Sequence, residues 1–163
     1  MGLYDDIVAL LDRHGVEYRT FEHEPVRTSE EAAQVRGTPL ARGAKAILLD
    51  AGGECVLAVL SAAGKMKSSA LRRHLGVKGL SFASAAQVRE ATGCEPGGVP
   101  PFGNLFGVRV VMDRGLLQQE WIDFNAGERT RSVEMKCADF VAIVQPELAE
   151  FAAGDASPPG PLS

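Results

Sequence analysis

At 163 residues and 17.3 kDa, with 45% hydrophobic and 23% charged side chains, the chain has the size and mixture of one globular domain. A core of that size needs no disulfide or metal staple. The net charge of −4 excludes a protein that grips nucleic acid by overall charge, so any such contact must be local. Cys55, Cys94 and Cys137 form neither a C-x-x-C pair nor a disulfide framework, no apolar stretch approaches a membrane span, and the N-terminus has no basic secretory leader. The expected setting is a reducing cytoplasm with no membrane contact.

In chain order, Leu3, Ile7, Leu10, Leu11 and His14 share one stripe of a helix that Gly15 closes. Residues 17–23 alternate between apolar or aromatic and polar positions and read as a half-buried strand stopping before Pro25. Thr28 and Glu31 form a capping box that opens a short helix running towards Gly37. Residues 43–50 and 54–61 are two apolar runs around Gly52-Gly53, which predicts a hairpin. Their apolar character on both faces makes these central, covered strands.

Ser68 or Ser69 caps a helix containing Leu71 and Leu75, and Gly76 ends it; Leu80 to Phe82 is a short strand. Ser84 and Gln87 form a second capping box, opening a helix that Gly93 terminates. Residues 107–112 and 120–124 read as strands, 131–135 as a half-exposed strand, and 138–144 as a closing helix. The total is about seven short strands and five helices in mixed order, not strict βαβ alternation. The domain is expected to occupy residues 1–150, with 151–163 a disordered tail rich in proline.

The segment from Thr92 to Gly103 is dense in glycine and proline, so it is neither helix interior nor central strand. It is either a rigid surface turn or a binding loop whose backbone amides are free to meet a ligand. Lys45 begins a strand that is otherwise apolar on both faces, sharing one of them with Ile47 and Leu49. Its ammonium either snorkels to solvent or faces a cleft, where a fixed cation binds phosphate or polarises a carbonyl. Lys65, Lys67, Arg72 and Arg73 form the single basic cluster, either a solvated helix face or a local phosphate contact. Asn125, in a turn signal with Ala126 and Gly127, either shapes a loop or presents an amide to a ligand. His14, His23 and His74 lack metal-ligand spacing, and no motif supports a nucleophilic serine or cysteine.

Taken together, Lys45 in its Ala-Lys-Ala-Ile-Leu-Leu strand, the helix from Leu71 to Gly76, and the run from Thr92-Gly93 through Pro96-Gly97-Gly98-Val99-Pro100-Pro101-Phe102-Gly103 resemble the YbaK family. That family includes the editing insertion domain of bacterial prolyl-tRNA synthetase and its free-standing relatives. The likeness runs from about Leu3 to about Val144 and implies a mixed α/β single domain, with a curved, mostly antiparallel mixed central sheet flanked by helices. It also implies hydrolysis of the ester of a mischarged aminoacyl-tRNA, without metal or other cofactor and with help from the terminal ribose hydroxyl.

On this resemblance Lys45 is the catalytic lysine and the loop from Gly97 to Pro101 holds the scissile carbonyl or attacking water, so Gly97 and Gly98 are expected in catalysis and Pro101, Phe102 and Gly103 against substrate. The residue reading adds Asn125 as a candidate substrate contact and Lys65, Lys67, Arg72 and Arg73 as candidate tRNA contacts. A synthetase is a candidate partner. An aminoacyl ester is already activated, so positioned water and a stabilised oxyanion suffice for its hydrolysis. The segment 64–69 departs from relatives that carry an acidic residue there, and the Asn125-Ala126-Gly127 segment matches only some branches. Which amino acid is removed does not carry over. The competing reading is a module of the same fold that binds aminoacyl ends or a synthetase without turnover.

Overall fold

The computed structural model describes residues 2–153. The helices are α1 (Leu3–His14), α2 (Ser29–Arg36), α3 (Ser68–Leu75), α4 (Ala85–Thr92) and α5 (Cys137–Val144). The strands are β1 (Tyr18–Glu22), β2 (Ala44–Ala51), β3 (Glu54–Ser61), β4 (Lys65–Met66), β5 (Ser81–Phe82), β6 (Arg109–Asp113), β7 (Trp121–Asn125), β8 (Arg131–Lys136), β9 (Glu147–Ala149) and β10 (Ala152–Ala153). The mixed α/β architecture is as expected, but the sheet is divided. A five-stranded sheet runs β5-β2-β3-β6-β9, an antiparallel three-stranded sheet runs β1-β8-β7, and β4 pairs with β10. An isolated parallel bridge between Gly43 and Asp123 joins the two larger sheets.

The β2–β3 hairpin forms the middle of the larger sheet, in register from Ala44 opposite Ser61 to Ala51 opposite Glu54. Alternation sends Ala44, Leu48, Leu57 and Val59 to one core and Leu49, Val56, Ala58 and Leu60 to a second. α1 and the three-stranded sheet pack on the first core, while α3 and Phe151 pack on the second. Both faces are therefore covered, which is why these strands are apolar throughout. β5 pairs with β2 only at Leu49 and Asp50, so the Ala44–Ala46 end of β2 keeps an edge without a partner strand.

The local signals resolve with some corrections. α1, α2, α3 and α4 all end on a left-handed glycine, and the Ser84–Gln87 capping box is complete. Thr28 accepts from the Glu31 amide, whereas the Glu31 carboxylate takes the Arg27 N–H and not that of Thr28. α3 is capped by Lys67 without a side-chain bond, and Ser68 is already helical. β8 is not half-exposed: Ser132 is 0% and Glu134 3% exposed. The polar face of the three-stranded sheet lies inside the molecule, and Arg36 on Ser132, with Arg19 and Arg42 on Glu134, satisfies it.

β4, β9 and β10 have no counterpart in the sequence reading. They are too short to show a period, and each depends on a partner distant in sequence: β9 adds to the edge of β6, and β4 and β10 pair with each other. Residues 151–153, expected in the tail, belong to the fold: Phe151 is buried, and Ala152 and Ala153 pair with Met66 and Lys65. The remainder of that expected tail, 154–163, lies outside the described residues.

Candidate active site

A cleft of about 130 Å3 opens where the two larger sheets meet. Its walls are the segment Val26–Ser29 with the inner face of α2, the unpaired start of β2 from Gly43 to Ala46, Ala62, the Gly97–Val99 loop, and Phe124 and Asn125 at the end of β7. The cleft thus gathers Lys45, Gly97 and Asn125, three residues singled out from the sequence for separate reasons. Arg27, Arg36 and Lys45 are the charged residues lining it, and no carboxylate does so among the described residues. Such a surface attracts an anion, whether a phosphate or a charge that develops on an ester oxygen.

Lys45 is half-buried and donates to the Gly64 carbonyl at 2.9 Å. Burial holds its pKa below the usual lysine value; the nearby Glu30 carboxylate opposes this and Lys65 adds to it. The ammonium is thus held at one point with donors to spare, since one of three N–H groups is engaged.

In the loop, Gly98 N–H donates to Glu95 O at 3.0 Å and Gly97 has φ +92°. Pro96 and Gly97 therefore occupy the central positions of a tight turn whose third residue must have positive φ. This corrects the reading of Gly98: its amide closes the turn and is not free for substrate. Gly97 faces the cleft, and its carbonyl accepts from Asn125 Nδ2 at 2.6 Å.

Pro101, Phe102 and Gly103 do not line the cleft. Phe102 is 0% exposed, with ring centroids 5.4 Å from both Phe124 and Phe140, so it supports the wall from behind and offers no surface to a substrate. Pro101 is buried as well, and a Cβ at Gly103 would lie 2.6 Å from Val108 O and collide with Val110. These residues read as a binding loop in sequence because rigidity and close packing select the same residue types as ligand approach.

Of the basic cluster, Lys65 sits on β4, exposed and close enough for its charge to bear on Lys45. Lys67 caps α3, and Arg72 and Arg73 lie in its last turn. Burial raises the thiol pKa values of Cys94 and Cys137, which keeps both protonated and unreactive.

Sequence reasoning passed over the buried polar network behind the cleft. Arg36 donates to Asp123 Oδ1 at 2.6 Å, to Asn125 Oδ1 at 2.9 Å and to Ser132 Oγ at 2.8 Å. Asp123 and Arg36 side chains are 1% and 5% exposed. Asp123 Oδ2 has no partner among the described residues, and burial raises the carboxyl pKa against the pull of Arg36. The available signal was the spacing of Asp123 and Asn125, which alternation places on one face of a strand.

The profile of the aminoacyl-tRNA editing domain matches residues 23–143, which includes every wall of this cleft. The chain belongs to that family of deacylases. It is 39% identical over 150 residues to the multifunctional Ser/Thr-tRNA deacylase ProXp-y of Escherichia coli K12, covering 89% of this chain and 90% of that one. It is 28% identical over 145 residues to the prolyl-tRNA editing protein ProX of Acetoanaerobium sticklandii, covering 85% and 88%. Its fold superposes on a solved putative trans-editing enzyme for prolyl-tRNA synthetase with a TM-score of 0.83 at 22% identity, covering 94% of this chain and 99% of the other.

Proposed function

We propose that the protein is a trans-acting, cytoplasmic deacylase that hydrolyses the ester of a tRNA mischarged with a small amino acid. The observation that carries this reading is the convergence of Lys45 and the Gly97 turn on one small cationic cleft. Water adds to the ester carbonyl, and negative charge grows on its oxygen. The tetrahedral adduct then collapses with cleavage of the bond from the carbonyl carbon to the ribose oxygen, which takes up the proton that the water loses and leaves as a hydroxyl, releasing free amino acid. Lys45, anchored through Gly64 O, supplies a charged donor to the growing oxyanion. The Gly97 turn, held by Asn125, shapes the wall against which the acyl group rests.

Size favours a small acyl group. A volume of about 130 Å3 is well below the several hundred Å3 of pockets for drug-sized ligands. Ala32, Ala33, Ala44, Ala46 and Ala62 make up much of its wall. The Escherichia coli relative is named for seryl- and threonyl-tRNA, and these two esters head the panel to be tested, with alanyl- and prolyl-tRNA beside them. Incubation with that panel should release amino acid from at least one. Lys45→Ala should lower the rate on the best substrate by about 10²–10³, the usual loss for one oxyanion donor. A panel left intact would instead favour the non-catalytic binding module, and full activity of Lys45→Ala would remove that lysine from the mechanism.

A further inference from the structure

Arg36 ends α2, and its guanidinium can only donate hydrogen bonds. This fixes the orientation of the amide it meets. Asn125 must turn its amide oxygen towards Arg36 Nη2, which leaves Nδ2 facing Gly97 O. The reversed amide would place an NH2 group against the guanidinium and an oxygen against the Gly97 carbonyl, two repulsive contacts in place of two bonds. The same logic runs through Ser132. Its hydroxyl oxygen accepts from Arg36 Nε at 2.8 Å, which turns its proton away from the guanidinium, and it shares a hydrogen bond with His23 Nε2 at 2.8 Å. His23 Nδ1 in turn donates to Glu24 O at 2.9 Å. One side chain therefore links the 23–24 segment, through Ser132 and Asn125, to the turn in the cleft wall.

α2 has little else to hold it in place. Ala32 is its one buried apolar residue, and Val35 is 47% exposed. A helix so poor in apolar surface gains little from burial. Its position over the cleft depends on Arg36 reaching across to Asp123, Asn125 and Ser132 on the three-stranded sheet.

We propose that Arg36 is a positioning residue for the deacylation reaction: it orients the Asn125 side-chain amide and, through it, the Gly97 turn. This rests on the reading of the cleft as the editing site. Lysine at this position retains the charge opposite Asp123 but cannot serve three separated acceptors with a planar fork. Arg36→Lys should keep the fold and lower kcat on the best ester at least tenfold with KM within about twofold, since a misplaced wall affects the reacting geometry more than binding. Arg36→Met should do the same or more. Asn125→Asp, which still accepts from Arg36 but cannot donate to Gly97, should reproduce the kcat loss.

A second readout needs no substrate. The side-chain 15N amide resonance of Asn125 should exchange slowly with solvent in the wild-type protein and rapidly in Arg36→Lys. Wild-type kcat in a folded Arg36→Lys protein, or an Asn125 amide unchanged in both Arg36 variants, would overturn the proposal. A wild-type protein inactive on every ester would overturn the reading of the cleft, and the amide resonance would still decide whether Arg36 sets the turn.

Discussion

At Lys45, burial opposes charge while Glu30 favours it, and the balance leaves the pKa below the usual 10.5. The folded chain therefore binds fewer protons at this site than the unfolded chain between the lowered value and 10.5. Burying the ammonium costs stability at neutral pH, and that cost fades as pH rises through this window. The donor that the proposed chemistry uses is thus held in the fold against an electrostatic penalty. A 13Cε titration of Lys45 should give a midpoint below 10.5. Lys65→Gln should move it upwards by removing a like charge, and Glu30→Gln downwards by removing the opposing one. A midpoint at or above the ordinary lysine value would contradict the burial that the cleft imposes.

Among the elements, the chain after α5 departs most from what its sequence shows. Asp113, at the end of β6, accepts from Phe151 N at 2.8 Å and Ala152 N at 2.9 Å through one oxygen, and from Gly115 N at 2.9 Å through the other. β9 runs parallel to β6 from Glu147 to Ala149, and β10 continues onto β4. One buried carboxylate thus fastens a strap that closes the second core under Phe151. Asp113→Ala should destabilise the protein by about 3 kcal/mol, on the order of one or two charge-assisted hydrogen bonds. Urea unfolding would measure the loss, and hydrogen exchange should show it concentrated in residues 145–153.

What the sequence disclosed follows from the same physics. Helices with glycine stops, the hairpin and the placement of Lys45 depend on periods and caps within a few residues, and these could be read. The strap, the burial of Ser132 and Glu134, and the hydrogen bonds of Arg36 depend on partners far along the chain. A polar strand face reads as solvent-facing unless the arginines that cover it are known. Lys45, Gly97 and Asn125 were legible as candidates and line one cleft, while Phe102 and Gly103 were not separable from them, because close packing and ligand approach select the same residue types in one loop.

At the scale of the whole molecule, net charge and local charge have opposite signs. A chain of charge −4 keeps Lys65 beside the cleft and places Lys67, Arg72 and Arg73 on α3. If these four residues contact the acceptor end of tRNA, changing all four to Gln should flatten the dependence of log affinity on log salt by up to about one unit for each lost phosphate contact. Fluorescence anisotropy titrations across a salt series would measure this. An unchanged slope would return the cluster to a solvated helix face.

The pairing of β1 with β8 has a consequence for synthesis. Arg19 and Glu134, joined across these strands, lie 115 positions apart, and β1 finds no partner strand other than β8 among the described residues. During translation β1 must therefore wait, half-amphipathic and unpaired, until Lys136 has left the ribosome. The β2–β3 hairpin can form much earlier from neighbouring residues. The wall of the cleft that carries Phe124 and Asn125 lies on β7, which pairs with β8, so the candidate site closes only after the hairpin that carries Lys45 has formed.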